Sequence, residues 1–505
     1  MKGKRAIWNI ITNIVVQFTL AISGLVIPRL IMKYYGSEMN GLVSSISQFI
    51  SYAALIEMGI ANASVIALYT PLSEFDNTEI SAVVSATRKM YLVTACIYSC
   101  IIVGIAGLYP LLYKEQLGYV FVFEMIICIG AVNAVDYFFL GKYKVLLIAD
   151  QRYYVLNIAR IAATLLLLII SVILLMNGIS LVVIKSAAVA VHILEALTVF
   201  AYVKSCYRGV DFRFYKMKKI AQRWNAMIHQ LCATVVYNTD IVVLTLFLPG
   251  HSLLEISVYS VYAMVLGLVS NLVGSFTTGI SPSFGNMMAR GKEDSVRQVF
   301  NMYEYVYFIV LFIMYGCFAA LVLSFVSCYT KGMDDVNYVR AIVGLLFAMS
   351  GLSAQMKDAS GVVINAAGKY KETQKFAIQE AIINIAISLI LVRPLGIVGV
   401  LLGTLLSHIW MGYCSISFME TNLITGTINV TLARILRNVF VLAAIVLIEV
   451  NLVSAASSWI QWFLQALVVS LINTTAILGV NFIFEPKVAI KLWEKGMALL
   501  RNGKK

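Results

Sequence analysis

The sequence predicts an all-α integral membrane protein with about fourteen transmembrane helices. Three observations carry that prediction. Of its 505 residues, 61% are apolar and 12% charged, against about 45–50% and about 25% in soluble domains. The apolar residues gather in long runs, mostly ~20 residues or more, which is the length of a spanning helix and about twice that of a barrel strand. The basic residues fall almost wholly on alternate connections between those runs. A soluble multidomain enzyme, a secreted disulfide module and a disordered chain are excluded.

The first run, 8–32, follows Lys2, Lys4 and Arg5. It is too long for a signal-peptide core and lacks a small-residue cleavage site, so it reads as the first span. The others lie at 41–70, 90–113, 119–141, 155–176, 180–203, 224–248, 254–282, 302–328, 341–365, 376–392, 396–419, 438–454 and 460–484. Gly36, Gly178, Gly250, Gly368 and Gly396 punctuate them as turn residues. No connection exceeds about twenty residues, so an extramembrane catalytic domain is absent.

With the N-terminus inside, the inner connections and termini carry 29 of the 38 Lys and Arg residues. The outer ones carry five: Lys33, Lys114, Lys331, Arg340 and Arg393. That asymmetry predicts both termini in the cytoplasm. The formal net charge of +13 is therefore a topology signal and calls for no nucleic acid. The eight cysteines form no CxxC pair and sit mostly in apolar runs, where they act as small hydrophobes. The four histidines share no metal-ligand spacing, and no metal or cofactor site is expected. A phosphate-binding glycine loop and a nucleophile triad are also missing, so no enzyme is expected.

The chain echoes itself at one long, nearly constant offset. Trp8-Asn9 returns as Trp224-Asn225, Arg152-Tyr153 as Lys369-Tyr370, and Gly178-Ile179 as Gly396-Ile397. Six spans separate the copies, an even number, so the two copies share one orientation. The expected organisation is a six-helix bundle at 1–203, a basic linker at 204–223, a second six-helix bundle at 224–419, and two further helices with a basic tail at 420–505. Parallel bundles related by an axis along the membrane normal, with a site near the midplane, form a transporter design.

Ionisable groups within spans cost about 2.5–3.5 kcal/mol each on insertion scales and face a bundle interior or water. Four cations lie there: Arg29, Arg160, Lys185 and Lys357. Either they bind an anionic substrate, or they pair internally, as Arg160 with Asp136 or Lys357 with a neighbouring carboxylate. Asn9 and Asn13 begin a polar stripe on the first span. Asn238-Thr239-Asp240 sets a carboxylate in an apolar run, where it either couples to an ion or pairs with a cation. Glu57 and Glu380 are further candidates of the same kind.

The stretches YYGSEMNGLVSSISQFISYAALIEMGI (34–60), YNTDIVVLTLF (237–247), ISVYSVYAMV (256–265), INAAGKYKETQKFAIQEAIINIAISLILV (364–392) and GIVGVLLGTLLS (396–407) carry a family likeness. They resemble the polysaccharide-biosynthesis or O-antigen flippases of the multidrug/oligosaccharidyl-lipid/polysaccharide exporter superfamily, over nearly the whole chain. The resemblance implies a transporter of the bacterial inner membrane. Such a protein carries undecaprenyl-pyrophosphate-linked oligosaccharide repeat units from the cytoplasmic to the outer face by alternating access, for assembly of a surface polysaccharide. Its partners would be the lipid-linked substrate, the bilayer, and the polymerase and glycosyltransferases of the pathway. The same resemblance implies a cationic cavity, with Arg29 and Lys357 the best matches. A cation-coupled multidrug extruder of the same superfamily is the alternative.

Overall fold

A computed structural model describes residues 2–213, 224–248, 250, 252–278, 280–289, 293–453, 456 and 458–502. Helix accounts for 89% of the described residues, and no strand occurs among them. The chain divides into two compact units, Met1–Val242 and Val243–Lys505. Most of the expected basic linker, 214–223, lies outside the described residues, as do Arg290 and Lys292.

The first unit opens with α1 (Lys2–Tyr35), α2 (Ser37–Ala54), α3 (Ile60–Glu74) and α4 (Asn77–Leu108). It continues with α5 (Lys114–Leu117), α6 (Tyr119–Val135), α7 (Gly141–Ala149), α8 (Tyr153–Met176) and α9 (Leu181–Cys206). In α10 (Trp224–Phe247) the chain passes into the second unit. Packing runs from α1 to α8, α8 to α9, α9 to α6 and α6 to α4. Outward faces stay apolar: Ile10, Ile14 and Phe18 of α1 are 62%, 51% and 67% exposed. A soluble protein would bury such a stripe; here hydrocarbon covers it.

The second unit holds α11 (Ser252–Thr278), α12 (Ser281–Ala289), α13 (Glu293–Tyr329), α14 (Ala341–Met356) and α15 (Asp358–Ala366). Then follow α16 (Tyr370–Leu395), α17 (Ile397–Asn422), α18 (Ile428–Leu452), α19 (Trp459–Phe484) and α20 (Pro486–Asn502). Helix α13 packs on α11, α14, α18 and α19. Its Tyr307, Phe308, Phe312 and Tyr315 are all buried in the core of the unit. Helices α18 and α19 are thus held to the rest of the unit through α13.

Thirteen helical segments among the described residues are long and apolar enough to span a membrane. The remaining expected span, 341–365, is divided at Lys357 into α14 and α15, of 16 and 9 residues. Two other spans are also irregular. Leu55–Glu57 and Gly59 separate α2 from α3, and a π-helical turn, Asp136–Leu140, joins α6 to α7.

The helix lengths support the repeat. Helices α7 and α15 are each 9 residues long, and α9 and α17 are each 26 residues long, at matching places in the two copies. The turns before α9 and α17 each use a glycine in the left-handed region, Gly178 (φ 67) and Gly396 (φ 55), which a side chain would strain.

Several helices outrun the apolar windows. Helix α4 begins at Asn77 rather than near 90, because the Asp76 carboxylate accepts from the backbone N–H groups of Thr78 (2.9 Å) and Glu79 (3.0 Å). Arg88 and Lys89, expected in a connection, therefore lie on α4. Lys142 and Lys144 likewise lie on α7, and Arg434 and Arg437 on α18. Hydropathy marks where hydrocarbon is tolerated; a cap marks where the helix starts.

Candidate ion and substrate sites

In the first unit a row of alternating charges crosses four elements. Lys144 of α7 pairs with Asp136 at the start of the π-helical turn. The other Asp136 oxygen lies 2.6 Å from Nε2 of His192 on α9. Nδ1 of His192 lies 2.9 Å from Oε2 of Glu195, one turn on, and Arg160 of α8 reaches that same oxygen at 3.2 Å. His192 and Glu195 are buried, whereas the Arg160 side chain is 44% exposed. The row is positive, negative, central imidazole, negative, positive. Each carboxylate meets a cation, which removes most of the cost of placing charge there.

Arg29 and Lys185 stand apart from that row. Both are half-buried. The Tyr35 hydroxyl donates to the Ile179 carbonyl at 2.5 Å and pins the end of α1 to the turn before α9. Arg29 lies six residues before Tyr35, about 9 Å along α1, and Lys185 lies six residues after Ile179, in the second turn of α9. The two cations therefore occupy one level of the unit. Lys185 has no hydrogen-bond or ion-pair partner among the described residues, and no acidic group neutralises it.

Asn9 is occupied structurally. Its Nδ2 donates to the Gln151 carbonyl at 3.0 Å, and its Oδ1 accepts from the Tyr154 N–H at 2.7 Å. It thereby ties α1 to the turn before α8, beside the Asp150 carboxylate held by Arg5 and Arg152. Asn13 is exposed. Glu57 accepts from the Tyr91 hydroxyl at 2.6 Å. Asp240 is 2% exposed, and Asn238 is half-buried. The neighbouring Thr239 shares a 2.7 Å hydrogen bond with the Tyr52 hydroxyl, which ties α10 to α2. The side chain of Asn225 lies outside the described residues.

In the second unit Lys357 sits at the break between α14 and α15. Its Nζ donates to Oε1 of Glu380 on α16 at 2.7 Å, and His408 of α17 meets the same oxygen at 2.9 Å. Tyr307 donates to the Gln355 carbonyl at 2.9 Å, and Tyr315 to the Gln355 Oε1 at 2.8 Å. The structure thus brings together Lys357 and Glu380, and separately Arg160 and Glu195. Arg160 meets Glu195 where the sequence offered Asp136.

Sequence reasoning passed over His192 and His408, Lys144, and the Arg434 cluster. A signal existed for the histidines. Each is the twelfth residue of its helix, α9 or α17, so each repeat sets a histidine at the same place on its sixth span. Their settings differ. The first unit gives the imidazole two carboxylates, and the second gives it one carboxylate already shared with a lysine. Arg434, read from hydropathy as a loop cation, is buried at 1% exposure between Glu304 (2.8 Å) and Glu485 (2.5 Å). Glu485 follows the last residue of α19. Burial pushes its carboxyl up, but Arg434 and Arg437 outweigh that and hold it below the ordinary carboxylate range.

No family model matches the chain, and no curated protein matches it. Solved structures do. The lipid II flippase MurJ in an inward closed conformation superposes with a TM-score of 0.61 at 14% identity, covering 95% of this chain and 100% of that one. An inward-facing multidrug resistance MATE family transporter of the MOP superfamily gives 0.56 at 11% identity, covering 80% and 96%. A eukaryotic MATE transporter gives 0.56 at 13% identity, covering 86% and 99%. With thirteen span-length helices and no strand among the described residues, this chain has the all-helical membrane fold that those proteins share.

Proposed function

We propose that the chain is a flippase for a lipid-linked oligosaccharide carrying a pyrophosphate, moving undecaprenyl-pyrophosphate-linked repeat units to the outer face of a bacterial inner membrane by alternating access. The observation that carries this reading is the level shared by Arg29 and Lys185, with Lys185 lacking any acidic partner among the described residues. A half-buried cation without a counterion within a span is costly unless an anion visits it. A pyrophosphate offers several acceptors to a guanidinium and an ammonium together. Lys357 is already bonded to Glu380, so Lys185 ranks ahead of it as a substrate contact. Arg160 serves the same site from α8, and Asp240 and Glu57 are assigned to ion coupling or to structure. The bilayer is the working environment, with both termini cytoplasmic, and the polymerase and glycosyltransferases of the pathway are the functional partners.

The test is export of surface polysaccharide by Arg29→Gln, Lys185→Gln and their double variant at normal protein level. Each single change is expected to lower export about tenfold or more, by loss of a charge-assisted contact worth about 1.5–3 kcal/mol. Unchanged export in the double variant would remove the anion reading. Cation-coupled multidrug extrusion is the second reading, favoured by the buried Asp240 and by the fold shared with the MATE transporters. In a deletion strain it gives drug sensitivity with intact polysaccharide. The flippase reading gives lost polysaccharide and accumulated lipid-linked repeat.

A further inference from the structure

We propose that Arg160, His192 and Glu195 form a proton-linked anion site, in which a proton on Nδ1 of His192 frees Arg160 to bind a phosphate-type anion. The inference rests on the transporter reading only for its purpose, since the linkage is a property of the isolated protein.

Nδ1 of His192 has two neighbours of opposite character. Glu195 Oε2 lies at 2.9 Å and Arg160 Nη1 at 3.4 Å, while Nε2 faces Asp136 Oδ1 at 2.6 Å. A neutral imidazole carries one N–H. With Nε2–H donating to Asp136, loss of the Nδ1 proton leaves a lone pair that Glu195 Oε2 repels at 2.9 Å and that accepts from Arg160 at 3.4 Å. The guanidinium is then held by the ring and by Glu195 together. Adding a proton to Nδ1 reverses this. The imidazolium donates to Glu195 and repels Arg160, and Arg160 loses one acceptor outright and keeps only a shared second. The proton comes from water and returns to water, so no other group changes state.

Arg160 has somewhere to turn. Counting 100° per residue along α8, the lipid-facing arc is Leu165, Leu166, Ile169 and Ile173, all exposed. Arg160 lies on the opposite arc with the buried Asn157, Thr164 and Ser171. A guanidinium that is 44% exposed on the inward arc of a span faces a hydrated interior rather than hydrocarbon. An anion arriving there finds a planar donor whose present counterion is shared with a second cation.

The charged groups around the ring come from α8, the π-helical turn and α7, three of the elements packed on α9. Arg160 lies on α8, Asp136 in the π-helical turn, and Lys144, bonded to Asp136, on α7. The remaining titratable side chains on the elements packed against α9 are Tyr119, Glu124 and Cys128 of α6, Tyr137 of the turn, Lys142 and Tyr143 of α7, and Tyr153 and Tyr154 of α8. On α9 itself they are Lys185, Tyr202, Lys204 and Cys206. Cys128 contacts Ser186, six residues before His192, which places it about 9 Å along the helix from the ring. At 3.4 Å, the gap between Nδ1 and Arg160 admits no other side chain. The repeat-related His408 shares one carboxylate oxygen with Lys357, so the corresponding exchange is not built into the second unit in this form.

The experiment measures binding of inorganic pyrophosphate, and of geranylgeranyl pyrophosphate, to the purified full-length protein in nanodiscs between pH 6 and 10, since two carboxylates on the ring favour its protonated form. Affinity is expected to rise about fivefold or more toward acid, the low end of ordinary coupling between two sites. His192→Gln is expected to flatten that dependence to the slope of the probe's own titration, and Arg160→Gln to remove it with loss of affinity at low pH. Should His192→Gln fail to accumulate, Glu195→Gln replaces it and is expected to shift the pH step toward acid, since the proton on Nδ1 loses its acceptor. Equal pH slopes in wild type and His192→Gln, or unchanged low-pH affinity in Arg160→Gln, would overturn the proposal. Tighter binding of the prenylated probe alone places the anion at a lipid headgroup, and equal binding of both places it on the phosphate. If Arg29 and Lys185 prove dispensable for export, this linkage is still measured, because no export enters the assay.

Discussion

Arg434 shows what one residue does for the attachment of the last helices. Its guanidinium reaches Glu304 on α13, Glu485 beyond α19 and the Asn301 side chain at 2.7 Å, while its own backbone is on α18. Three helices thus converge on one buried cation. Removing it leaves two carboxylates facing each other, a change of the kind that costs about 3–5 kcal/mol. Arg434→Ala is therefore expected to lower the thermal unfolding temperature of the purified protein, with release of α18 and α19 as the first event in hydrogen exchange. Because the folded Glu485 titrates below its unfolded value, its contribution is present at neutral pH and is lost as pH falls through the folded value. Wild type is expected to lose stability in acid, and Arg434→Ala to show less of that loss. An identical acid response in both would refute the role given to the pair.

The same scale shows what could be read early. Arg160, Lys185, Lys357, Glu380 and Asp240 all stood out in the sequence as charges within apolar runs. The pairings did not: Glu195 lies 35 residues from Arg160 and Glu380 lies 23 residues from Lys357. Lys144 sits eight residues past Asp136, yet pairs with it across a π-helical turn that periodicity does not announce.

At the level of elements, the breaks in the fourth and tenth spans are the features hydropathy missed. Both runs are apolar on average, and the irregularity in each begins near a charged residue, Asp136 and Lys357. Each of those charges then ties the break to another helix, Asp136 to α9 and Lys357 to α16. Helix ends were missed for a different reason, since caps act through one hydrogen-bonded turn and leave no trace in an apolar average. Asp76→Ala removes two hydrogen bonds at the start of α4 and is expected to cost about 1 kcal/mol. Amide exchange of the first turn of α4 should then quicken about fivefold. No change there would mean that packing, not the cap, sets the start of the helix.

For the whole molecule, topology is the property with the clearest test. The 29-to-5 division of basic residues predicts that alkaline phosphatase fused after Lys114 or Lys331 is active and that fusions after Arg208 or Lys375 are silent. The reverse pattern would invert the direction assigned to transport. The composition, the run lengths and the charge division are sums along the chain, and a bilayer reads such sums directly. That is why the helical membrane class, the number of apolar segments and the internal repeat were all legible without coordinates. The tertiary structure decided which carboxylate each paired cation meets, where three spans break, and that Lys185 meets none among the described residues. Those outcomes depend on contacts between helices distant in sequence, where a rotation of one helix by a single residue exchanges one partner for another.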